Sequence, residues 1–277
     1  MIRLGLCCIF REAPIRFRTA TATATGRLPR NEQLDKLNRL CLENAAALRD
    51  AVEFCGGSGI GAFRVNSQIL PLKTHPTAGY ELHDLPDGDE IIDRFKAVGR
   101  LRKKLNLRLS FHPDQFVILN SPRPDVVESS MKELAYQAET ADWIGADVLN
   151  IHGGGAYGDK PAALNRLTSA VNKLPEEIRS RLTFENDDRT FTPSDLLPVC
   201  KETGVPLVYD AHHHRCLPDG LREKQATEAA LSTWNREPLF HISSPKNGWD
   251  SGDDPKPLAQ AVKKLLHERK HLPEYYL

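Results

Sequence analysis

The sequence predicts an α/β protein of the (β/α)8 TIM-barrel class, and three observations predict it. Short apolar runs alternate with amphipathic stretches along the chain, the pattern of a parallel sheet whose strands are joined by crossing helices. Seven such units begin at Ile2, Ala62, Arg108, Asp147, Leu182, Leu207 and Leu239, a number that suits a barrel better than an open sheet. No Gly-x-Gly-x-x-Gly follows the first run, which weighs against a dinucleotide-binding sheet. A length of 277 residues suits one barrel, so residues 1–277 are read as a single domain.

Ile2 to Leu6 is the first strand, and Arg11 to Arg30 is a long irregular connection. It carries Arg11, Arg16, Arg18, Arg27 and Arg30 against the single acid Glu12, a local basic patch suited to phosphate or to plain solvation. Leu34, Leu37, Cys41, Ala45, Leu48, Val52 and Cys55 recur every three or four residues and form a helix that Gly56-Gly57 should stop. Ala62–Val65 is the second strand, Asp89 to Leu105 a charged helix, and Arg108–Phe111 the third strand. A helix over Asp125 to Ile144 leads into a strand from Asp147 to His152, which meets Gly153-Gly154-Gly155. A helix near Pro161 to Leu174 precedes the strand Leu182–Glu185. Thr192-Pro193-Ser194-Asp195 is a capping box with proline at the first helical position, so a helix runs from there to about Gly204. Leu207–Asp210, a helix from about Leu221 to Ser232, the strand Leu239–Ser243 and a periodic stretch from Leu258 to Lys270 complete the pattern, with no recognisable eighth strand.

The charges balance, 37 Lys and Arg against 37 Asp and Glu, so no global field draws the chain to a polyanion or an anionic membrane. The six cysteines contain no Cys-x-x-Cys pair, which fits a reducing compartment and excludes a zinc ribbon. No run approaches the roughly 18 apolar residues of a membrane span. A soluble cytoplasmic protein without a membrane partner, and a monomer, is expected.

Five strands end in, or carry, a side chain able to bind a metal: His112, His152, Glu185, Asp210 and His241. In a barrel these ends gather at the carboxyl-terminal face, where active sites form. With only 10 histidines in the chain, so regular a placement points to one shared metal site. Imidazole and carboxylate without thiolate suit manganese, zinc or iron better than a sulfur-loving ion. Glu185, midway in the order, could bridge two ions. His75 and His213 lie on loops, while His212, His214, His83, His267 and His271 read as surface residues. Sugar isomerases use the same ligand types, so the ligands alone do not choose the reaction.

The motifs narrow the choice. Ile2-Arg3-Leu4-Gly5, Phe63-Arg64 with His75-Pro76, Ser110-Phe111-His112-Pro113 leading to Gln115, and Asn150-Ile151-His152-Gly153-Gly154-Gly155-Ala156-Tyr157-Gly158 follow one another in order. Phe184-Glu185-Asn186-Asp187-Asp188, Tyr209-Asp210-Ala211-His212-His213 and His241-Ile242-Ser243-Ser244 continue the series. With these the chain resembles the UV damage endonucleases, metal-dependent DNA repair enzymes on a barrel similar to that of endonuclease IV. The resemblance implies incision of double-stranded DNA immediately 5′ to a UV photoproduct by metal-assisted hydrolysis. It implies two or three divalent ions, manganese first, with magnesium or zinc as further options. His112, His152 and Glu185 would hold one ion, Glu185, Asp210 and His241 a second, and His213 would belong to a third. His75 would lie by the scissile phosphate and share the catalytic role with Glu185. Gln115 and Phe116 match the pair inserted into the duplex, with Phe116 where Tyr is common, and Arg11 would contact DNA.

Three positions depart from the family pattern: Leu239 where thermophilic members carry Lys, Leu258 where a His ligand is expected, and a missing closing strand with its Glu ligand. Two other readings stand beside the endonuclease: a sugar isomerase or epimerase on a related barrel, and a damage-binding protein that has lost catalysis.

Overall fold

The computed structural model describes residues 3–10 and 13–243. In chain order these form β1 (Gly5–Leu6), α1 (Ala22–Thr25), α2 (Arg30–Gly57), β2 (Ala62–Val65), α3 (Gly88–Lys104), β3 (Arg108–Phe111) and α4 (Pro124–Ile144). They continue with β4 (Val148–His152), α5 (Lys160–Val171), α6 (Glu176–Arg179), β5 (Leu182–Glu185), α7 (Pro193–Thr203), β6 (Leu207–Asp210), α8 (Ala211–Cys216), α9 (Glu223–Leu231) and β7 (Phe240–His241). The expected α/β alternation is present. The region in which the sequence shows no recognisable eighth strand, with Leu258 and the Leu258 to Lys270 stretch, lies outside the described residues, as does Arg11.

The local signals act as their chemistry requires. The apolar stripe of α2 is buried from Leu37 to Cys55, and the side chain of Thr192 accepts from Asp195 N to start α7, which Gly204 ends in the left-handed region at φ 72°. Gly56-Gly57 does not stop α2: both residues stay helical, and the turn comes at Ser58 and Gly59, whose φ is 73°. Part of the basic connection is also more ordered than its composition suggests. Thr21 caps the single turn of α1, and one guanidinium nitrogen of Arg16 donates to the carbonyls of Phe10, Ala13 and Ile15. Arg18 pairs with Glu43 at 3.0 Å, and Arg30 donates to the Gly79 carbonyl. Arg16 thus folds the connection on itself, and Arg18 and Arg30 tie it to the body of the protein.

All six neighbouring pairs are parallel, and the strands lie in the order β1 to β7. The sheet is strongly rolled. Strands four places apart in a flat sheet would be separated by about 19 Å, yet the rings of His112 after β3 and His241 in β7 have centroids 5.8 Å apart.

Alternation then sorts the inward side chains into levels, because residues two apart on a strand face the same side. At the floor Ala62, Val148, Val208 and Leu239 form a small apolar cluster of their own, packed with Trp234. Leu239, one of the departures from the family pattern, is 1% exposed there. Beside it the buried Arg108 reaches Asp147 at 2.9 Å and the carbonyls of Glu237 and Pro238 at 2.7 and 3.0 Å, tying β3, the start of β4 and the start of β7 together. Two or four residues further along these strands the inward positions carry His112, His152, Asp210 and His241.

Candidate metal centre

Glu185, the last residue of β5, is the hub of the mouth. It is 1% exposed, and Asn150, itself held by the Thr183 hydroxyl at 2.9 Å, donates to its Oε2. His112 Nε2 lies 3.0 Å from the same oxygen. His241 Nδ1 lies 2.8 Å and His213 Nδ1 3.5 Å from Oε1. His152 completes the ring of imidazoles, its centroid 5.0 Å from His112 and 5.7 Å from His213.

Backbone carbonyls fix the orientation of two rings. A carbonyl only accepts, so the Pro113 carbonyl, 3.2 Å from His112 Nδ1, takes the N–H of that nitrogen, and Nε2 is the atom turned toward Glu185. The Asn186 carbonyl does the same for His213 Nδ1 at 2.9 Å. The Asn186 side chain meanwhile bonds both the N–H and the carbonyl of Asp210, at 2.9 Å each, and so clips the end of β5 to the end of β6. One oxygen of Asp210 caps α8 by accepting from His213 N at 2.9 Å, and the other lies 3.7 Å from His213 Nδ1.

The shifts at Glu185 and His152 suit a cation. Burial alone would raise the Glu185 carboxyl, but His241 and His112 outweigh it and hold it well below the usual carboxylate range. Burial lowers His152 and keeps its ring neutral, with Glu185 pulling only partly the other way. Asp210 is raised by burial and by the negative charge of Glu185. For His213, burial is outweighed by Asp210, Glu185 and the Asn186 carbonyl, and its proton affinity rises. A cation between the carboxylates would relieve this repulsion, and Nδ1 of His152 is buried there without a hydrogen-bond partner. Two groups can each hold an ion with ligand atoms mutually within 4.8 Å: His112, His152 and Glu185, and Glu185, Asp210 and His213. The residues present therefore fit the expected metal.

The second group contains His213 beside Asp210, while His241, the implied ligand there, lies 2.8 Å from Glu185 Oε1. Asp210 caps α8, whose third residue is His213, so His213 is helical and not on a loop. His75 is not part of the cluster. It lines a separate groove of about 460 Å³ with Phe116 and Asp114, where Nδ1 accepts from the N–H groups of Thr77 and Ala78 at 3.3 and 3.2 Å. Gln115 and Phe116 stand on the loop after β3, and Phe116 is 74% exposed.

Several residues of the mouth escape a reading of the sequence. His214 is no surface residue: it is 4% exposed, with Nδ1 2.9 Å from the Tyr209 hydroxyl and Nε2 2.8 Å from Asp219. His212 is half-buried, its ring tilted against that of His213 with centroids 6.0 Å apart. Cys7, just past β1, lies close enough to Glu185 and Asp210 to feel their charge. Burial raises its thiol, both carboxylates add to that, and Arg64 opposes it. The signal that could have found Cys7 is its place at a strand exit; Asn150 and Asn186 have only adjacency to a ligand strand.

A rolled parallel sheet whose carboxyl-terminal mouth gathers histidines and carboxylates defines the class: an α/β barrel with its candidate site at the strand ends. The chain belongs to the UV-endonuclease UvdE family, whose model matches residues 2–265. It is 35% identical over 247 residues to a UV DNA damage endonuclease of Bacillus velezensis, covering 87% of this chain and 75% of that one. The crystal structure of SacUVDE superposes with a TM-score of 0.84 at 26% identity, over 100% of this chain and 93% of that one. Endonuclease IV from Thermus thermophilus shares the fold, with a TM-score of 0.55 at 18% identity over 83% of this chain and 86% of that one.

Proposed function

We propose that this chain is a DNA repair endonuclease that cuts the phosphodiester backbone of double-stranded DNA 5′ to UV photoproducts, using divalent metal ions. The observation that carries the reading is the ring of His112, His152, His213 and His241 around the buried, ionised Glu185, in a member of the UvdE family. Manganese is the ion that the family resemblance implies; a ligand set of imidazole and carboxylate without thiolate accommodates it, zinc or iron and disfavours a soft metal. Bound there, divalent ions supply Lewis acidity toward a phosphate and toward water.

The residues of the chain do the rest. His112, His152 and Glu185 would hold one ion, and Glu185, Asp210 and His213 a second. Asn150, Asn186 and the Pro113 carbonyl keep these side chains oriented, so little reorganisation is needed when substrate arrives. His75, whose Nδ1 accepts two backbone N–H groups, presents Nε2–H as a donor toward a phosphate oxygen. Gln115 and the exposed Phe116 enter the duplex at the weakly stacked lesion, where opening a base pair costs least.

The basic connection contributes less than its composition suggests, since Arg16, Arg18 and Arg30 are engaged within the protein. A cytoplasmic location is supported by the bacterial source of the relatives, and no helix among the described residues is long and apolar enough to cross a membrane. A sugar isomerase reading has the shared barrel class behind it, but the family match and the solvent-facing Phe116 favour DNA.

Nicking of UV-irradiated supercoiled plasmid with added manganese tests the proposal. The parent chain should nick irradiated plasmid and spare unirradiated plasmid, and Glu185→Ala should nick neither. No nicking by the parent removes the endonuclease reading, and a gel shift then tests damage binding. Equal nicking by Glu185→Ala removes the assigned metal centre.

A further inference from the structure

Two exposed aromatic rings stand at the mouth, on neighbouring loops. Phe116 follows His112 by four residues on the loop after β3, and Tyr157 follows His152 by five on the loop after β4. Tyr157 is 48% exposed and has a φ of 52°, a left-handed conformation that side chains other than glycine rarely adopt. Such a conformation persists only where the surroundings impose it, and here they do.

The fully buried Asn120 is the clamp. Its amide donates to the Gly155 carbonyl at 2.9 Å, and its Oδ1 accepts from Gly155 N at 3.3 Å, so the loop after β3 grips the loop after β4. The Asn120 carbonyl in turn accepts from Arg166 Nε at 2.9 Å, which fixes the Arg166 guanidinium 5.7 Å from the Tyr157 ring centroid. The ring itself lies against Gly155, where an added Cβ would come within 3.1 Å of its Cε2. A Cβ on Gly154 would strike Asn120 Oδ1 at 2.2 Å, so the glycine run is what lets the two loops close. Phe116 and Tyr157 are thus presented by one clamped unit. A half-exposed ring, held in a costly backbone conformation and backed by a fixed guanidinium, does nothing for the apolar core.

We infer that Tyr157 is a second base-contacting ring: it stacks on a nucleobase that lesion opening exposes, with Arg166 beside it to meet the adjoining phosphate. The inference rests on the endonuclease reading. Aromatic rings on rigid supports accept any unstacked base, because every base offers a π-face, and the two rings would let the protein hold more than one base displaced at the damaged pair.

The test uses the full chain with manganese and a fluorescent duplex bearing one UV photoproduct, its 5′ linkage a phosphorothioate to slow cutting, beside the same duplex undamaged. Tyr157→Asn removes the ring while tolerating the left-handed backbone, so its melting temperature should equal or exceed the parent's. Its Kd for the damaged duplex should rise about tenfold and its Kd for the undamaged duplex should stay within about twofold. Tyr157→Phe keeps the π-face and should bind both duplexes like the parent. Parental affinity of Tyr157→Asn for damaged DNA, equal losses on both duplexes, or a Tyr157→Phe variant as weak as Tyr157→Asn would each overturn the inference. If the parent itself does not prefer the damaged duplex, the endonuclease reading fails first, independently of Tyr157.

Discussion

The floor and the mouth of the barrel are built from the same strands and differ by one step of the pleat. Val208 packs into the floor and Asp210, two residues on, belongs to the candidate ligand group around Glu185; Leu239 and His241 repeat the relation on β7. The floor is apolar, closed by Trp234 and the Arg108–Asp147 pair. At the mouth a carboxylate is buried among imidazoles, and a tyrosine is held at positive φ. The difference teaches that one face of each strand serves two purposes, stability at its start and chemistry at its end. Changes at the two levels should therefore separate in what they affect.

The largest effect is expected at the mouth. Glu185→Gln keeps the shape and the contact with Asn150 but removes the charge that two ligand groups share. Incision of UV-irradiated plasmid should fall at least a thousandfold, about 4 kcal/mol of barrier, with the chain still folded by circular dichroism. Activity within tenfold of the parent would break the division of labour.

At the floor the order reverses. Leu239→Ala empties a fully buried site among Ala62, Val148 and Val208 and should cost about 2–4 kcal/mol of stability in urea unfolding. Manganese affinity by calorimetry should stay within about twofold of the parent. A large loss of affinity would mean that the two levels are coupled through β7.

How much of this was legible in the sequence follows from the same geometry. Strand ends such as His112, His152, Glu185 and Asp210 stand out because a polar residue closing an apolar run is a local, one-dimensional signal. His213 and His214 were separable only in three dimensions. Asp210 starts a helix that turns His213 toward Glu185 and His214 inward to Tyr209 and Asp219. Asn120 and Asn186 act through hydrogen bonds to partners 35 and 24 residues away, which no periodicity records. The arginines after β1 misled for the converse reason: composition shows charge, and it does not show the carbonyls that Arg16 meets.

Asn186 tests the boundary between the levels, since it belongs to the mouth but acts as a structural clip. Asn186→Ala leaves the N–H and carbonyl of Asp210 without side-chain partners and should cost about 1–3 kcal/mol of stability. It should also weaken manganese binding by roughly 10- to 100-fold, as loss of an orienting contact does elsewhere. A change in stability with unaltered metal affinity would show that β6 holds Asp210 in place unaided.

The smallest effect separates the levels by pH. Burial would raise the Asp219 carboxyl, but the Ser194 and Leu221 N–H groups and the His214 ring more than offset it, and the carboxyl is held below its usual range. A carboxyl depressed in the folded state contributes stability that is fully present above its unfolded value, about 3.9, and is lost as the pH falls through the folded one. The difference in unfolding free energy between the parent and Asp219→Asn should therefore be widest near neutral pH and shrink as the pH falls below about 4. The corresponding gap for Leu239→Ala should stay flat over the same range, because neither side chain at position 239 ionises and those it packs with, Ala62, Val148, Val208 and Trp234, do not either. A flat gap for Asp219→Asn would mean that the acceptor geometry of residue 219, and not its charge, supports His214 beneath the metal centre.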